Sequence, residues 1–575
     1  MPTSTPFRSS FLLLAHLLPA SGLLLVGAPA QAQAPTLTSL APVRNALAVP
    51  RTTALTVGFS QPLSSSSAQG VCVFSTRRGG RLTGTTTISG STLRFTPAQL
   101  LQAGETVSAT LTSAVRSLND VPLAQPQVVR FTTATTPSAG LFTGGSDPAI
   151  TNAPYAVAAG DLNGDGWPDL ITHNAGNRLS IRLNTGTGTF SGGPDVGVLN
   201  GMDLAVGDVD NDGDLDLVVD GGGSIVGPPS GTAVLVRNNG AAGFSSSSIS
   251  FPARVTGVAL GDVNGDGYVD VIGALAGALN IRLNDGQGNF LASGQLVGGG
   301  NKVVLGDLDN DGDLDLVATE LGYPGRVLTL LNDGAGTFRL SETLPTSSYP
   351  LQTRLGDVDG DGDLDVVTVI QTQVANTPGV LNLFRNEGQG TFTRQADVLV
   401  TVSPQDVALG DVDGDGDLDL VSVSLARNTA SVRLNAGTGS FSDAQEVSVG
   451  NRPYSVVLAD VDDNGTLDLL TANETGTSVS VRLNSQVLAT SPRAVTPAWQ
   501  LYPNPAHEQV QVELPAAFRG QAVQLCLCNA LGQVVREQSL NPTAPQLSVA
   551  GLAAGLYTMH VRTSQQQLST RLLIE

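Results

Sequence analysis

Apolar and polar positions alternate along this chain in short runs, and almost nowhere in the 3.6-residue rhythm of an amphipathic helix. Val407-Ala-Leu-Gly and Leu418-Asp-Leu-Val-Ser-Val are typical, and both read as strands. Between such runs one polar pattern recurs seven times: Asp-x-(Asp/Asn)-x-Asp-Gly-x-x-Asp. Its first aspartates are Asp161, Asp208, Asp262, Asp307, Asp357, Asp411 and Asp460, spaced 47, 54, 45, 50, 54 and 49 residues apart. A period near 50 marks a repeat architecture whose units cannot each bury their own apolar face. A second pattern follows each loop after one more apolar strand: Asn-x-Gly-x-Gly-x-Phe or a close relative. It stands at Asn184–Phe190, Asn284–Phe290, Asn332–Phe338, Asn386–Phe392 and Asn435–Phe441, with a looser copy at Asn238–Phe244. Its glycines suit a hairpin turn and its Phe opens the next strand. Each repeat thus supplies four short strands, and seven such units predict an all-β fold with a seven-bladed β-propeller over 141–484.

The last repeat stops at Val481-Arg-Leu-Asn484 without its Gly-x-Gly-x-Phe half, while Phe142 precedes the first repeat with no loop before it. Phe142 lies 19 residues before Asp161, and the complete junctions run from 17 to 19. The segment Leu141–Ile150 is therefore expected to complete the last blade from the other end of the chain, leaving no open edge.

The flanks read differently. Phe11–Val26 is a mostly apolar run followed by Ala30-Gln31-Ala32, which predicts a secretory signal peptide over 1–32. No later run reaches the length of about 18 apolar residues that a spanning helix needs. Residues 34–136 alternate in short runs and predict an N-terminal Ig-like β-sandwich. Residues 485–498 form a polar, Pro-containing linker, and 499–575 a small C-terminal β-sandwich. Three cysteines (Cys72, Cys526 and Cys528) do not make a disulfide framework, and the last two project from one face of a strand.

Composition sharpens the chemistry. Among 575 residues, 50 Asp plus Glu face 29 Lys plus Arg, a formal charge of −21. Such a surface repels nucleic acid and anionic lipid. The carboxylates concentrate in the seven loops. Oxygen ligands at alternate positions, with a Gly for the sharp turn, are what a hard and large cation such as Ca²⁺ needs. The expected ligands are Asp161, Asn163, Asp165 and Asp169 in the first repeat and Asp208, Asp210, Asp212 and Asp216 in the second. The third offers Asp262, Asn264, Asp266 and Asp270, and the fourth Asp307, Asp309, Asp311 and Asp315. Asp357, Asp359, Asp361 and Asp365 follow in the fifth, then Asp411, Asp413, Asp415 and Asp419 in the sixth. The seventh supplies Asp460, Asp462, Asn464 and Asp468. Sites binding at about 0.1 mM would each add about 1.4 kcal/mol at about 1 mM calcium, so up to seven structural ions are expected to add about 10 kcal/mol. Seven divalent ions would also bring the charge from −21 to −7.

These repeats resemble the FG-GAP/VCBS repeats of bacterial surface proteins and are similar to the propeller of integrin α subunits, over Leu141–Asn484. That resemblance implies a calcium-binding propeller used in adhesion or recognition. Ser39-Leu-Ala-Pro, Leu55-Thr-Val-Gly-Phe-Ser-Gln-Pro62, Leu93-Arg-Phe-Thr-Pro97 and Val129-Arg-Phe-Thr-Thr133 resemble a bacterial Ig-like domain of the surface-layer type, implying a spacer or adhesive module. Leu501-Tyr-Pro-Asn-Pro505, Leu531-Gly-Gln-Val-Val and Leu552-Ala-Ala-Gly-Leu-Tyr557 resemble the C-terminal sorting domain of the type IX secretion system of Bacteroidetes. This implies handling by that machinery and release or attachment at the cell surface.

Connections between second and third strands vary most in length, especially Gly221–Gly231 and Gln371–Gly379, and they share the face opposite the metal loops. Length variation on one face marks a binding face. Candidate contacts there for an extracellular protein or glycan are Tyr155, Tyr323, Arg326, Tyr349 and Tyr454. His173 is the one propeller histidine and reads as solvated; neither Gly-x-Ser-x-Gly nor His-Glu-x-x-His is present. The expectation is a surface binding or adhesion protein and not an enzyme. The alternatives are a lectin-like carbohydrate binder or a propeller-borne polysaccharide-active enzyme.

Overall fold

The computed structural model describes residues 33–221, 231–371, 377–486, 500–502, 504–513, 524–529, 534–539, 546–562 and 567–574. The expected signal peptide lies outside the described residues, as do most of the linker and most of the two long connections Gly221–Gly231 and Gln371–Gly379. No helix among the described residues is long and apolar enough to cross a membrane.

Seven sheets succeed one another between Ser138 and Gln486, each with four or five antiparallel strands in simple order. In the first, Pro154–Gly160, Asp169–Asn174, Arg178–Asn184 and Phe190–Ser191 pair in sequence, joined by Asp195–Gly197. The second strand of each sheet is buried on both faces, as at Asp216–Asp220 and Asp468–Asn473. Neighbouring sheets sandwich it, so its sequence is a near-continuous apolar run after the aspartate. The first strands, Pro154–Gly160, Leu204–Gly207, Val255–Gly261, Lys302–Gly306, Tyr349–Gly356, Pro404–Gly410 and Pro453–Ala459, touch in a closed cycle. The sheets thus form a β-propeller around a central channel. Ring closure follows the sequence: Ser138–Ser146 is the outermost strand of the last sheet, paired with Ser478–Gln486. Phe142 sits opposite Asn484 and is 2% exposed, packed among Ala408, Val421 and Val432 of the preceding blade.

Residues 37–133 form two sheets. Leu37–Ala41, Leu55–Phe59, Thr92–Pro97 and Gly84–Ser89 face Ala46–Val49, Gln127–Thr133, Thr106–Leu111, Val71–Ser75 and Gly80–Arg81. Val57, Leu93, Val107, Leu111 and Val129 close the core between them.

The second unit, from Leu488 onward, is described by itself. Gln500–Tyr502, Gln509–Glu513 and Gln546–Ser548 form one sheet, and Val534–Ser539, Gln524–Cys528, Gly555–Arg562 and Gln567–Ile574 the other. Its core holds Val510, Leu525, Leu527, Met559, Val561 and Leu572. Cys526 and Cys528 are buried on one face with sulfurs 3.9 Å apart, and none of the three cysteines forms a disulfide.

The metal-loop face and the channel

Each metal loop joins the first strand of a blade to its second. Its sixth residue is glycine with φ between +85° and +99° in all seven repeats, from Gly465 to Gly416. Only glycine takes this conformation without strain, and here it turns its N–H back onto the first aspartate. Those bonds run from 2.8 to 3.1 Å, as in Gly166 N to Asp161 Oδ2 and Gly416 N to Asp411 Oδ2. The fourth residue is also left-handed, which explains why it is Gly, Asn or Asp: Asn211 has φ 61°, Asn310 61° and Asp463 57°.

The ninth-position aspartate has a second task. In the first repeat Asp169 Oδ2 accepts from Leu162 N at 3.0 Å, and its Oδ1 from Asn184 N at 2.8 Å. Asp216, Asp270, Asp315, Asp365, Asp419 and Asp468 repeat both bonds. One carboxylate thus ties the loop to the end of the third strand.

The turn asparagine, read from the sequence as a hairpin residue only, proves to be a latch between blades. Asn238 Nδ2 donates to Leu162 O at 2.7 Å, reaching into the loop of the preceding blade. Asn284, Asn332, Asn386, Asn435 and Asn484 do the same to Val209, Val263, Leu308, Val358 and Val412. Asn184 donates to Val461 O at 2.9 Å, which closes the circle from first blade to last.

The loops gather carboxylates as the spacing demands. Oxygens of Asp208, Asp210 and Asp216 lie within 4.8 Å of one another. So do those of Asp307, Asp309 and Asp311, of Asp357, Asp359 and Asp361, of Asp411, Asp413 and Asp419, and of Asp460, Asp462 and Asp468. In the first and third loops an asparagine turns its amide onto the fifth-position carboxylate instead. Asn163 Nδ2 donates to Asp165 and Asn264 Nδ2 to Asp266, both at 2.9 Å. Among the described residues, four buried carboxylate oxygens have no hydrogen-bond partner: Oδ1 of Asp208, Asp210, Asp307 and Asp359. Burial, and then the neighbouring carboxylates, push Asp307 and Asp216 up to about 7 and Asp315, Asp419 and Asp468 up to about 8. Unpartnered oxygens and crowded like charges are the electrostatics of a cation site, and this all-oxygen set fits Ca²⁺.

The N-terminal sandwich sits on these loops instead of standing off as a spacer. Arg44 Nε pairs with Asp307 Oδ2 at 3.2 Å, and Arg81 N donates to Asp208 Oδ2 at 3.0 Å. Thr135 Oγ1 donates to Asp411 Oδ2 at 2.8 Å, and Gln102 Nε2 reaches Gly166 O. Asn45 reaches Gly362 O, and Thr136 N reaches Gly465 O.

Comparison with known proteins agrees with this architecture. Residues 31–133 match the bacterial Ig-like domain, and residues 500–575 the secretion system C-terminal sorting domain. FG-GAP-like repeats match at 161–219, 262–318, 307–368, 373–422 and 411–471. The propeller carries FG-GAP-like repeats. The chain's sorting domain marks it for type IX export, to the cell surface or beyond it. No curated protein matches the FG-GAP-repeat chain. Solved structures similar to it include BBS1N in complex with ARL6DN, at 13% identity, TM-score 0.42, covering 60% of this chain and 97% of that one. Another is an Agrocybe aegerita lectin that recognises non-reducing terminal N-acetylglucosamine, at 19% identity, TM-score 0.38, covering 72% and 97%. A third is the periplasmic gluconolactonase of Pseudomonas aeruginosa, at 15% identity, TM-score 0.40, covering 66% and 99%.

On the opposite face of the FG-GAP-repeat propeller, the five expected contact residues divide into two groups. Tyr155, which lines the channel, and Tyr454 meet edge to face, with ring centres 5.4 Å apart. Tyr323 and Tyr349 meet at 5.9 Å, and Tyr323 is 73% exposed. Arg326 pairs with Glu320 at 2.9 Å. His173 corrects an expectation: it is fully buried, not solvated. Its ring nitrogens lie 3.1 Å from Asp203 O and 3.0 Å from Leu199 O, so it bridges the first two blades.

The sequence reading missed the channel. Lys302 pairs with Asp203 at 3.1 Å, and Arg354 with Asp406 at 2.8 Å. Asp203, Lys302 and Asp406 each stand five residues before a first loop aspartate. Polar residues at a fixed offset in the innermost strands were the signal available.

Proposed function

We propose that this is a calcium-stabilised binding protein of the bacterial exterior, working through the propeller face opposite the metal loops. What carries the reading is the division of labour between the two faces. One presents seven carboxylate-rich loops, latched blade to blade and covered by the Ig-like domain. The other presents the channel mouth and two tyrosine pairs. The ligands for the ions would be the aspartates and asparagines at loop positions one, three, five and nine. A bound divalent ion supplies charge neutralisation to the loops and no chemistry to the far face. The chain's own part is to hold that face rigid, so that a partner is met without an ordering cost.

Binding and not catalysis is the proposed role, since the one propeller histidine is locked between two carbonyls. Arrays of glycans and of extracellular proteins test it, using the full chain in about 1 mM calcium. Binding that falls when Tyr323 and Tyr349, or Tyr155 and Tyr454, become Ala is the expected result. No binding at all, or turnover of a polysaccharide on the same arrays, would refute it.

A further inference from the structure

We propose that the propeller channel is a binding site for the carboxylate-bearing end of a saccharide, with a floor supplied by the Ig-like domain. The inference rests on the reading of the propeller as a binding module and names its ligand class.

The channel encloses about 500 Å³, within the range of small-ligand pockets. Its walls are the innermost strands, and its floor is made by Thr76, Arg77, Gly104 and Arg130. Four cations (Arg77, Arg130, Lys302 and Arg354) and two carboxylates (Asp203 and Asp406) line it, while Glu105 and Asp460 lie near Arg77, Asp307 near Arg130 and Asp220 near Lys302 without lining the channel. The carboxylates are already engaged. Asp406 accepts from Val407 N at 2.8 Å, Ser455 Oγ at 3.0 Å and Val456 N at 3.1 Å, besides Arg354. Asp203 Oδ2 accepts from Val258 N at 3.1 Å.

The cations keep donors in hand. A guanidinium has five N–H groups. Arg130 gives one to Leu305 O at 2.6 Å, and Arg77 one to Leu458 O. Arg77 Nη1 is buried with no hydrogen-bond partner at all. Glu105 and Asp460 supply carboxylate charge near that guanidinium, but neither accepts from Nη1, and a buried donor left unpaired is costly unless an acceptor in the channel meets it. A bidentate carboxylate fits that geometry better than a neutral hydroxyl. Tyr155, with Tyr454 edge to face against it, lines the channel and offers apolar surface for a sugar ring, and Gln352 and Ser455 line the same wall. These features favour an acidic sugar over a peptide C-terminus.

Calorimetric titration of the full chain in calcium tests this, with hyaluronan tetrasaccharide as the acidic probe and chitotetraose as its neutral counterpart. The acidic probe is expected to bind at least about tenfold more tightly. Arg354→Gln should weaken it by about tenfold or more. Thr76→Trp, which fills the floor and leaves every cation in place, should abolish it. Equal affinity for the two probes, or binding unchanged in both variants, overturns the inference. So does a tetrapeptide acid that binds more tightly than the tetrasaccharide. Failure of both probes to bind the unaltered chain, with array binding retained, would overturn this inference alone, whereas absence of both would overturn the binding reading with it.

Discussion

Asn284 gives the sharpest test of what holds the blades together. Its Nδ2 donates to Val209 O of the preceding blade at 2.7 Å and to Val269 O of its own loop at 2.8 Å. Its Oδ1 accepts from Gly286 N at 3.0 Å and Gly288 N at 3.2 Å, and the residue is 4% exposed. Asn284→Ala keeps the Cβ and removes all four bonds. Each lost bond costs about 0.5–1.5 kcal/mol net, and a carbonyl left buried without its partner costs about 1–3 kcal/mol more. Allowing for relaxation of the half-buried glycine turn, the loss should be about 3–5 kcal/mol, a value reached by few single substitutions. Urea unfolding in about 1 mM calcium measures it, since the ion then holds the loops constant across variants. Asn289→Ala in the same turn is the control. Asn289 caps Asp285 at the exposed tip, so its replacement should stay within about 0.5 kcal/mol. A loss below about 1 kcal/mol for Asn284→Ala would refute the latch, because it would mean that the two carbonyls find other partners.

Two further outcomes follow from the buried polar groups. In chelator, the loop carboxylates of Asp315, Asp419 and Asp468, pushed up to about 8 by burial, favour the folded state only while protonated. Their contribution is complete below the unfolded value near 4 and is lost as pH rises through 8, so the chelated protein should melt lower at pH 8 than at pH 6. Calcium should raise the melt more at pH 8, and thermal scans at both values with and without the ion check both signs; a chelated protein more stable at pH 8 would contradict them. His173→Ala removes a ring that bridges Asp203 O and Leu199 O, and should cost about 2–4 kcal/mol by the same urea assay. A change within about 0.5 kcal/mol would return His173 to the solvated role that the sequence suggested.

Much of this architecture was legible because repetition amplifies weak signals. Seven loops in register identify strands on either side of each, and the spacing of Phe142 from Asp161 identifies the strand that crosses from one end of the propeller to the other. The left-handed fourth and sixth loop positions were equally readable, since Asn211, Asn310 and Asp463 stand where glycine otherwise does. What stayed hidden depends on contacts distant in sequence. Asn284 binds a carbonyl 75 residues away, and Arg44 an aspartate near the middle of the chain, and neither leaves a local pattern. His173 lies in a second strand, Asp169–Asn174, where the next blade covers what would otherwise be its solvent side. The channel escaped because attention to loops and aromatic residues passes over single charges in or just before the innermost strands, where Lys302, Arg354 and Asp406 stand and which Asp203 immediately precedes.

Ring closure by Ser138–Ser146 has a mechanical consequence. Ser138 pairs with Gln486, so the segment leading in from the Ig-like domain and the segment leading out towards the sorting domain leave the same end of one strand pair. Tension between the two ends of the chain would open that pair one rung at a time, like a zip, instead of shearing all its hydrogen bonds together. Anchored by one end and loaded at the other, the propeller would yield first at this seam. The contacts of Thr135, Thr136 and Ser138 with the sixth and seventh loops lie directly before that strand and take the load ahead of it. Ions that stiffen those two loops would thereby set the force at which the ring begins to open.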